Sequence, residues 1–257
     1  MGGEKISYAT LSPDNNQVAF VKDNNLYVTD LASNTTTQLT FDGEGNRIIN
    51  GAADWVYEEE FSMAQAFKWS PDGKKIAFIR FDESEVPEFN MQTWGPLYPQ
   101  DYKFKYPKAG EKNALVSIHV VDLASKKIQQ MDAGPETDQY LPRLYWTQDP
   151  NQLAFIRLNR LQNQLDLLQA NASTGESKLI LSETSATYVD LDYNDDLQYL
   201  SDGKTFIRTS EQDGYKHIYH HQLDGTLIRQ LTTGPWEVSS LVGVDEERKK
   251  LYYLSTE

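Results

Sequence analysis

Cysteine is absent from the 257 residues, which excludes a disulfide framework, a thiolate nucleophile and a cysteine-based zinc site. Compartment stays open on that count. No apolar run approaches the roughly 20 residues that span a bilayer, and the opening Met1-Gly2-Gly3-Glu4-Lys5 has no hydrophobic signal core. The start reads as a cut boundary, so the expectation is that any native leader or upstream segment has been removed. Positive charge is scarce: 24 basic against 38 acidic residues give a formal charge of -14. Such a chain repels phosphate backbones and offers no basic stripe, so no nucleic-acid partner is expected.

Catalytic signatures are equally sparse. A serine hydrolase needs its nucleophile on a strained elbow, usually Gly-x-Ser-x-Gly, and that pattern does not occur. Gly43-Glu44-Gly45 sits in a turn with no Lys-Ser/Thr behind it, so it is no phosphate loop. Of the four histidines, His119 and His217 fall inside strand-like runs and read as packing or hydrogen-bonding residues. His220 and His221 are neighbours on one strand, project to opposite faces and cannot chelate one metal together. No cofactor and no metal are expected.

What the chain has is internal repetition. Five segments open with Pro or Asp followed by Gly or Asn and then enter a β-branched and aromatic run. They are Ser12 to Val21, Ser70 to Ile79, Thr147 to Ile156, Leu200 to Thr209 and Asp245 to Leu254. Turn chemistry that feeds such a run is a turn plus a strand. A second alternating strand follows at Asn25 to Leu31, Ser117 to Leu123 and His217 to Leu223, and a third at Thr36 to Thr40, Lys126 to Met131 and Thr226 to Thr232. Short antiparallel strands recurring at this interval describe propeller blades, with little helix anywhere. The fold class is therefore all-β. Residues 1–257 are expected to form a single partial β-propeller domain of about four to five blades, part of a larger ring.

One stretch, about 81–113, breaks the repeat. It carries Pro87, Pro96, Pro99 and Pro107 among Trp94, Tyr98, Tyr102, Phe104 and Tyr106. Aromatic surface on a proline-stiffened arm is costly to leave in water, so it either contacts another blade or subunit or folds back on its own blade. A second oddity is Asp54-Trp55-Val56-Tyr57-Glu58-Glu59-Glu60-Phe61, where three adjacent carboxylates lie among residues that favour burial. Carboxylates held at the rim of something structured recognise cations. The alternative is a solvated run at the start of a short helix, where the helix dipole favours glutamate.

The run Asp54 to Glu60 resembles the double-glutamate motif of the dipeptidyl peptidase IV family, within its N-terminal β-propeller. Glu85-Val86-Pro87 and Tyr106-Pro107-Lys108-Ala109-Gly110 are similar to the two ends of that family's propeller arm, and Arg160-Leu161-Gln162-Asn163 to its Arg-x-Gln-Asn element. Gly214-Tyr215-Lys216-His217-Ile218 and Gly234-Pro235-Trp236-Glu237-Val238 resemble later blade motifs. Prolyl tripeptidyl peptidases share those later motifs but not the acidic run.

The resemblance implies a serine exopeptidase that removes Xaa-Pro or Xaa-Ala dipeptides from peptide N-termini. Its propeller sits over a C-terminal α/β-hydrolase domain carrying a Ser-Asp-His triad. It implies that Glu59 and Glu60 bind the substrate's free α-ammonium, with Glu58 a structural neighbour. It also implies a homodimer paired through the arm and a periplasmic or extracellular, bacterial setting. A substrate-clamping arginine of the family lies upstream of Met1 and the hydrolase domain lies beyond Glu257, so this chain alone is expected to be inactive. The stretch Tyr193 to Leu200 resembles a pocket-lining segment in which no residue is assigned. The other reading of the chain is a non-enzymatic propeller that binds protein partners through its aromatic arm.

Overall fold

The structure, a computed structural model, describes residues 5–191 and 194–257. Tyr193 lies outside the described residues. Strands β1 (Ser7–Leu11), β2 (Gln17–Lys22), β3 (Asn25–Asp30) and β4 (Thr35–Gln38) pair antiparallel in chain order as the first sheet. The second sheet holds β5 (Ile48–Asn50), β6 (Phe67–Trp69), β7 (Lys75–Asp82), β10 (Leu115–Asp122) and β11 (Ile128–Gln130). Helix α1 (Trp55–Glu60) is inserted between β5 and β6, and a separate ribbon of β8 (Glu88–Thr93) and β9 (Gln100–Lys105) between β7 and β10. The third sheet is β12 (Gln139–Trp146), β13 (Gln152–Asn159), β14 (Gln164–Asn171) and β15 (Ser177–Thr184). The fourth is β16 (Leu197–Tyr199), β17 (Thr205–Ser210), β18 (His217–Gln222) and β19 (Leu227–Gln230), and β20 (Val238–Asp245) pairs with β21 (Lys250–Ser255). This is a partial β-propeller: four blades and a strand pair of a fifth.

The first two copies of the repeated turn are built the same way. Ser12 Oγ donates to Asp14 at 2.6 Å and accepts the Gln17 N–H at 3.0 Å; Ser70 does the same with Asp72 at 2.7 Å and Lys75 at 2.9 Å. A left-handed residue closes each loop, Asn15 at φ 61 and Gly73 at φ 68, which asparagine and glycine tolerate.

Strand alternation then stacks the blades. In β7, Ile76 and Phe78 enter a cluster with Val21, Leu26 and Val28 of the first sheet, whereas Ala77, Ile79 and Phe81 enter one with Leu141, Leu144 and Phe155 of the third. Phe206 and Ile207 of β17 divide in the same manner between the third-sheet side and Val238 on β20. Successive residues point to opposite faces, so a continuous apolar run covers both faces of a sandwiched sheet.

Polar contacts fix the spacing. Trp69 Nε1 donates to the Thr10 carbonyl of the preceding blade at 3.1 Å, and Trp146 Nε1 to the Lys68 carbonyl at 3.1 Å. At the opposite edge, Gly225 at φ 89 lies so close to the Ile180 carbonyl that an added Cβ would sit 2.0 Å from its oxygen.

Candidate functional site

The site grows from a break in one strand. Asn50 pairs with Arg80 and Phe67 with Phe78, so β5 and β6 are two halves of a single strand along β7, parted opposite Ile79. Gly51 N–H donates to the Ile79 carbonyl at 3.0 Å, Ile79 N–H to the Ala66 carbonyl at 2.9 Å, and Ala66 N–H to the Gly51 carbonyl at 2.9 Å. These bonds pinch the neck of an excursion that has α1 at its tip.

Helix α1 has six residues, too short to stand alone. Its N-cap is Asp54, whose side chain accepts the Tyr57 N–H at 3.0 Å. Tyr57 and Phe61, each 2% exposed, pack on each other and on Tyr140 of the third blade. The Tyr57 hydroxyl accepts the Leu141 N–H at 2.8 Å, and Arg143 Nη1 donates to the Phe61 carbonyl at 2.8 Å. Both helix ends are thus tied to β12. Trp55, partly buried, packs against the same core cluster as Phe61 and also lies against Tyr106 of the arm with ring centroids 4.1 Å apart. Val56 and Tyr57 take the buried positions, because the register that buries Tyr57 turns Trp55 about 200° round the axis.

Glu58, Glu59 and Glu60 are all exposed. Successive helical residues are about 100° apart, so they fan outward. Glu58 faces the first blade, where its charge adds to burial in raising the Tyr8 phenol. Glu60 lines a cavity of about 630 Å³ with Tyr140, Tyr106, Trp55 and Arg160. Glu59 stands between them. Around α1 the buried acids are others: Asp54 and Glu83, each 6% exposed. Burial raises Asp54 to about 6, and burial with the Asp54 charge raises Glu83 to about 7. Asp54 stands in the sequence only as the first residue of the acidic run, and Glu83 drew no notice, since nothing local to it announces burial.

The arm folds back at its root and projects at its tip. Lys105 Nζ donates to the Val86 carbonyl at 2.8 Å, Tyr106 N–H to the Pro87 carbonyl at 3.0 Å, and Val86 is buried. Beyond the root, Trp94 is 78% exposed, Leu97 90% and Tyr98 77%. The Arg160 to Asn163 element is the turn between β13 and β14. It braces the returning limb of the arm, with Arg160 Nη2 donating to the Glu111 carbonyl at 3.0 Å and its guanidinium 5.9 Å from the Tyr140 ring.

The two later motifs form one contact. His217, fully buried, donates from Nε2 to the Gly234 carbonyl at 3.1 Å and meets Thr232 Oγ1 through Nδ1 at 3.0 Å, while Trp236 packs edge-on at 5.0 Å. His119 lies against Phe78, and burial lowers it to about 4. His221 stacks on Phe206, whereas His220 lines the cleft between the fourth and fifth blades, so the pair does diverge. Among the described residues no group of three His, Cys, Asp or Glu is placed to hold a metal. Tyr199 is buried against Phe206 at 5.5 Å.

Residues 2–257 match the family described as the dipeptidyl peptidase IV (DPP IV) N-terminal region. A probable dipeptidyl peptidase 4 of Aspergillus flavus is 34% identical over 268 residues, covering 98% of this chain and 34% of that protein. The crystal structure of Porphyromonas gingivalis dipeptidyl peptidase 4 is similar with a TM-score of 0.94 at 41% identity, over 99% of this chain and 36% of that one. A putative dipeptidyl aminopeptidase IV from Bacteroides ovatus gives a TM-score of 0.86 at 28% identity, over 98% and 37%. The chain spans about a third of the length of these relatives. A match along nearly every residue, joined to a backbone that follows the same course, makes this chain a member of the dipeptidyl peptidase IV family, in its N-terminal region.

Proposed function

We propose that this chain is the substrate-selecting part of a serine-type dipeptidyl peptidase, in which Glu59 and Glu60 bind the free ammonium of a peptide whose second residue is proline or alanine. The supporting observation is the rigidity of α1: it presents exposed carboxylates from a base whose two ends are bonded to β12. An anion pair fixed at a set distance from a nucleophile acts as a ruler, admitting only chains with a free amine and so turning a peptidase into an exopeptidase. Glu60 has an aromatic wall beside it, which favours a cation further. The triad belongs to an α/β-hydrolase domain of the same protein. The chain on its own therefore releases no dipeptide, because positioning groups cannot replace a nucleophile and base. Serine-inhibitor-sensitive release by the purified 257-residue chain would overturn this.

The test of the anchor is Glu59→Gln and Glu60→Gln in the full-length protein, with Glu58→Gln as control, assayed on a chromogenic glycyl-proline substrate. Losing one partner of a desolvated charge pair costs about 2 to 5 kcal/mol, roughly thirtyfold to several thousandfold in kcat/KM, and Glu58→Gln changes little. Wild-type efficiency in both variants places the anchor elsewhere. Action on peptides outside the cytoplasm, in a periplasmic or extracellular bacterial setting, completes the proposal. A second reading, a propeller that binds protein partners, is favoured only by the exposed arm tip, which a homodimer contact also explains.

A further inference from the structure

Glu60 is part of the wall of a cavity of about 630 Å³ whose other walls come from the arm and the third blade. That volume lies within the range of sites that enclose a small molecule or a side chain, and such sites are lined mainly by apolar and aromatic groups with a few polar ones. The lining here follows that rule. Trp55 of α1 stands 4.1 Å from Tyr106, centroid to centroid, and Phe89 and Phe104 of the ribbon lie 5.6 and 6.1 Å from the same ring. Tyr140, 7% exposed, adds a ring from the third blade. Hydrogen bonds fix these walls: Tyr106 N–H donates to the Pro87 carbonyl at 3.0 Å, Asn113 Nδ2 to the Tyr140 hydroxyl at 2.8 Å, and Arg160 Nη2 to the Glu111 carbonyl at 3.0 Å. The root of the arm thus belongs to the cavity, whereas Trp94 and Tyr98 at its tip take no part in the lining. The charged groups of the lining are Glu60, Lys108 and Arg160, the last with Nη1 3.6 Å from Asp138 Oδ1. An entering lysine or arginine side chain meets the like charges of Lys108 and Arg160, and an acidic one meets that of Glu60. An uncharged ring meets neither penalty.

We propose that this cavity receives the side chain of the peptide's first residue and selects an aromatic ring there, with Tyr106 and Trp55 as the rings that meet it. The inference rests on the anchor proposed at Glu59 and Glu60. An ammonium held by Glu60 is separated from its own side chain by the α-carbon alone, so that side chain starts at the cavity wall. A ring that enters gains edge-to-face and offset contacts with the aromatic lining, and it buries apolar area that a first glycine lacks. The root of the arm is then a specificity wall as well as the base of the tip.

The experiment measures kcat/KM of the full-length protein on chromogenic Gly-Pro, Phe-Pro and Lys-Pro substrates, each with a free and with an acetylated N-terminus. Wild type should favour Phe-Pro over Gly-Pro roughly tenfold or more. Two variants change the cavity in opposite ways: Tyr106→Ala removes a wall, and Ala109→Phe, at an exposed position of the lining, adds a ring that fills it. In both, the ratio of Phe-Pro to Gly-Pro should fall toward unity. Damage that is merely structural lowers both substrates together and leaves the ratio unmoved, and circular dichroism melting establishes that each variant is folded. Discrimination against the acetylated forms reads the anchor separately. A wild type that rejects acetylated substrates but shows no preference for Phe-Pro leaves the anchor standing and overturns the role given to the cavity, as does a Phe-Pro preference that both folded variants keep. Lys-Pro favoured over Phe-Pro contradicts the aromatic class. If Glu59→Gln/Glu60→Gln still rejects acetylated substrates while the Phe-Pro preference is lost in Tyr106→Ala, the anchor reading fails and the cavity remains the seat of the first side chain.

Discussion

Asp54 and Glu83 carry the clearest consequence of burial at a single residue. Their folded-state values of about 6 and about 7 lie above ordinary carboxylate values, so between pH 4 and 7 the folded protein binds more protons than the unfolded chain. Stability from these groups is full at low pH and falls as pH rises through their folded values. Glu83→Gln, which is never charged, should flatten that fall. Denaturant unfolding between pH 5 and 7 should show wild type losing on the order of 2 kcal/mol more than the variant; parallel curves would show that Glu83 ionises without cost. The sequence shows three adjacent carboxylates among residues that favour burial, and in the structure their neighbours Val56, Tyr57 and Phe61 are buried while the three carboxylates are exposed. Burial of Tyr57 and Phe61 turns Glu58, Glu59 and Glu60 outward and leaves the interior position to the cap, Asp54. Local composition shows that a carboxylate lies near apolar groups. Which carboxylate is buried depends on helix phase and on β7 and the arm, which lie elsewhere in the chain.

At the scale of elements, most strands were legible because turn chemistry and alternation are local: the segments at Ser12, Ser70 and Thr147 each open on a strand of the structure. The split of one strand into β5 and β6 was not, since only pairing with β7 reveals that residues distant in sequence continue one another. The arm was visible as an interruption of the repeat. Its ribbon of β8 and β9 was hidden by the prolines at its ends and by strands whose side chains are nearly all exposed. The contact of Gly225 with the third blade is likewise non-local. Gly225→Ala forces a Cβ against the Ile180 carbonyl at a positive φ, and a cost of about 2 kcal/mol or more is expected in equilibrium unfolding. A smaller change would mean that the β18–β19 turn can move away without disturbing the blade stack.

For the molecule as a whole, the blades bury their faces on one another while the arm tip remains open to solvent. We expect that tip to supply a homodimer contact in the full-length protein, with Trp94, Tyr98 and Tyr102 as anchors, since buried aromatics dominate interface energies. Deleting residues 94–99 should shift full-length protein from dimer to monomer in sedimentation; an unchanged dimer would remove the arm from that role. The partial propeller was readable from the repeat, and the family from its motifs. The cavity beside Glu60 was not, because its walls come from α1, the arm and the turn after β13, which are distant in sequence. The most direct measurement is the ratio of kcat/KM for a glycyl-proline substrate with a free N-terminus to that for its acetylated form, in full-length wild type and in the Glu59→Gln/Glu60→Gln double variant. The account predicts a large ratio in wild type that collapses toward unity in the double variant, through loss on the free substrate alone. A double variant that keeps wild-type efficiency and still rejects the acetylated substrate would contradict it.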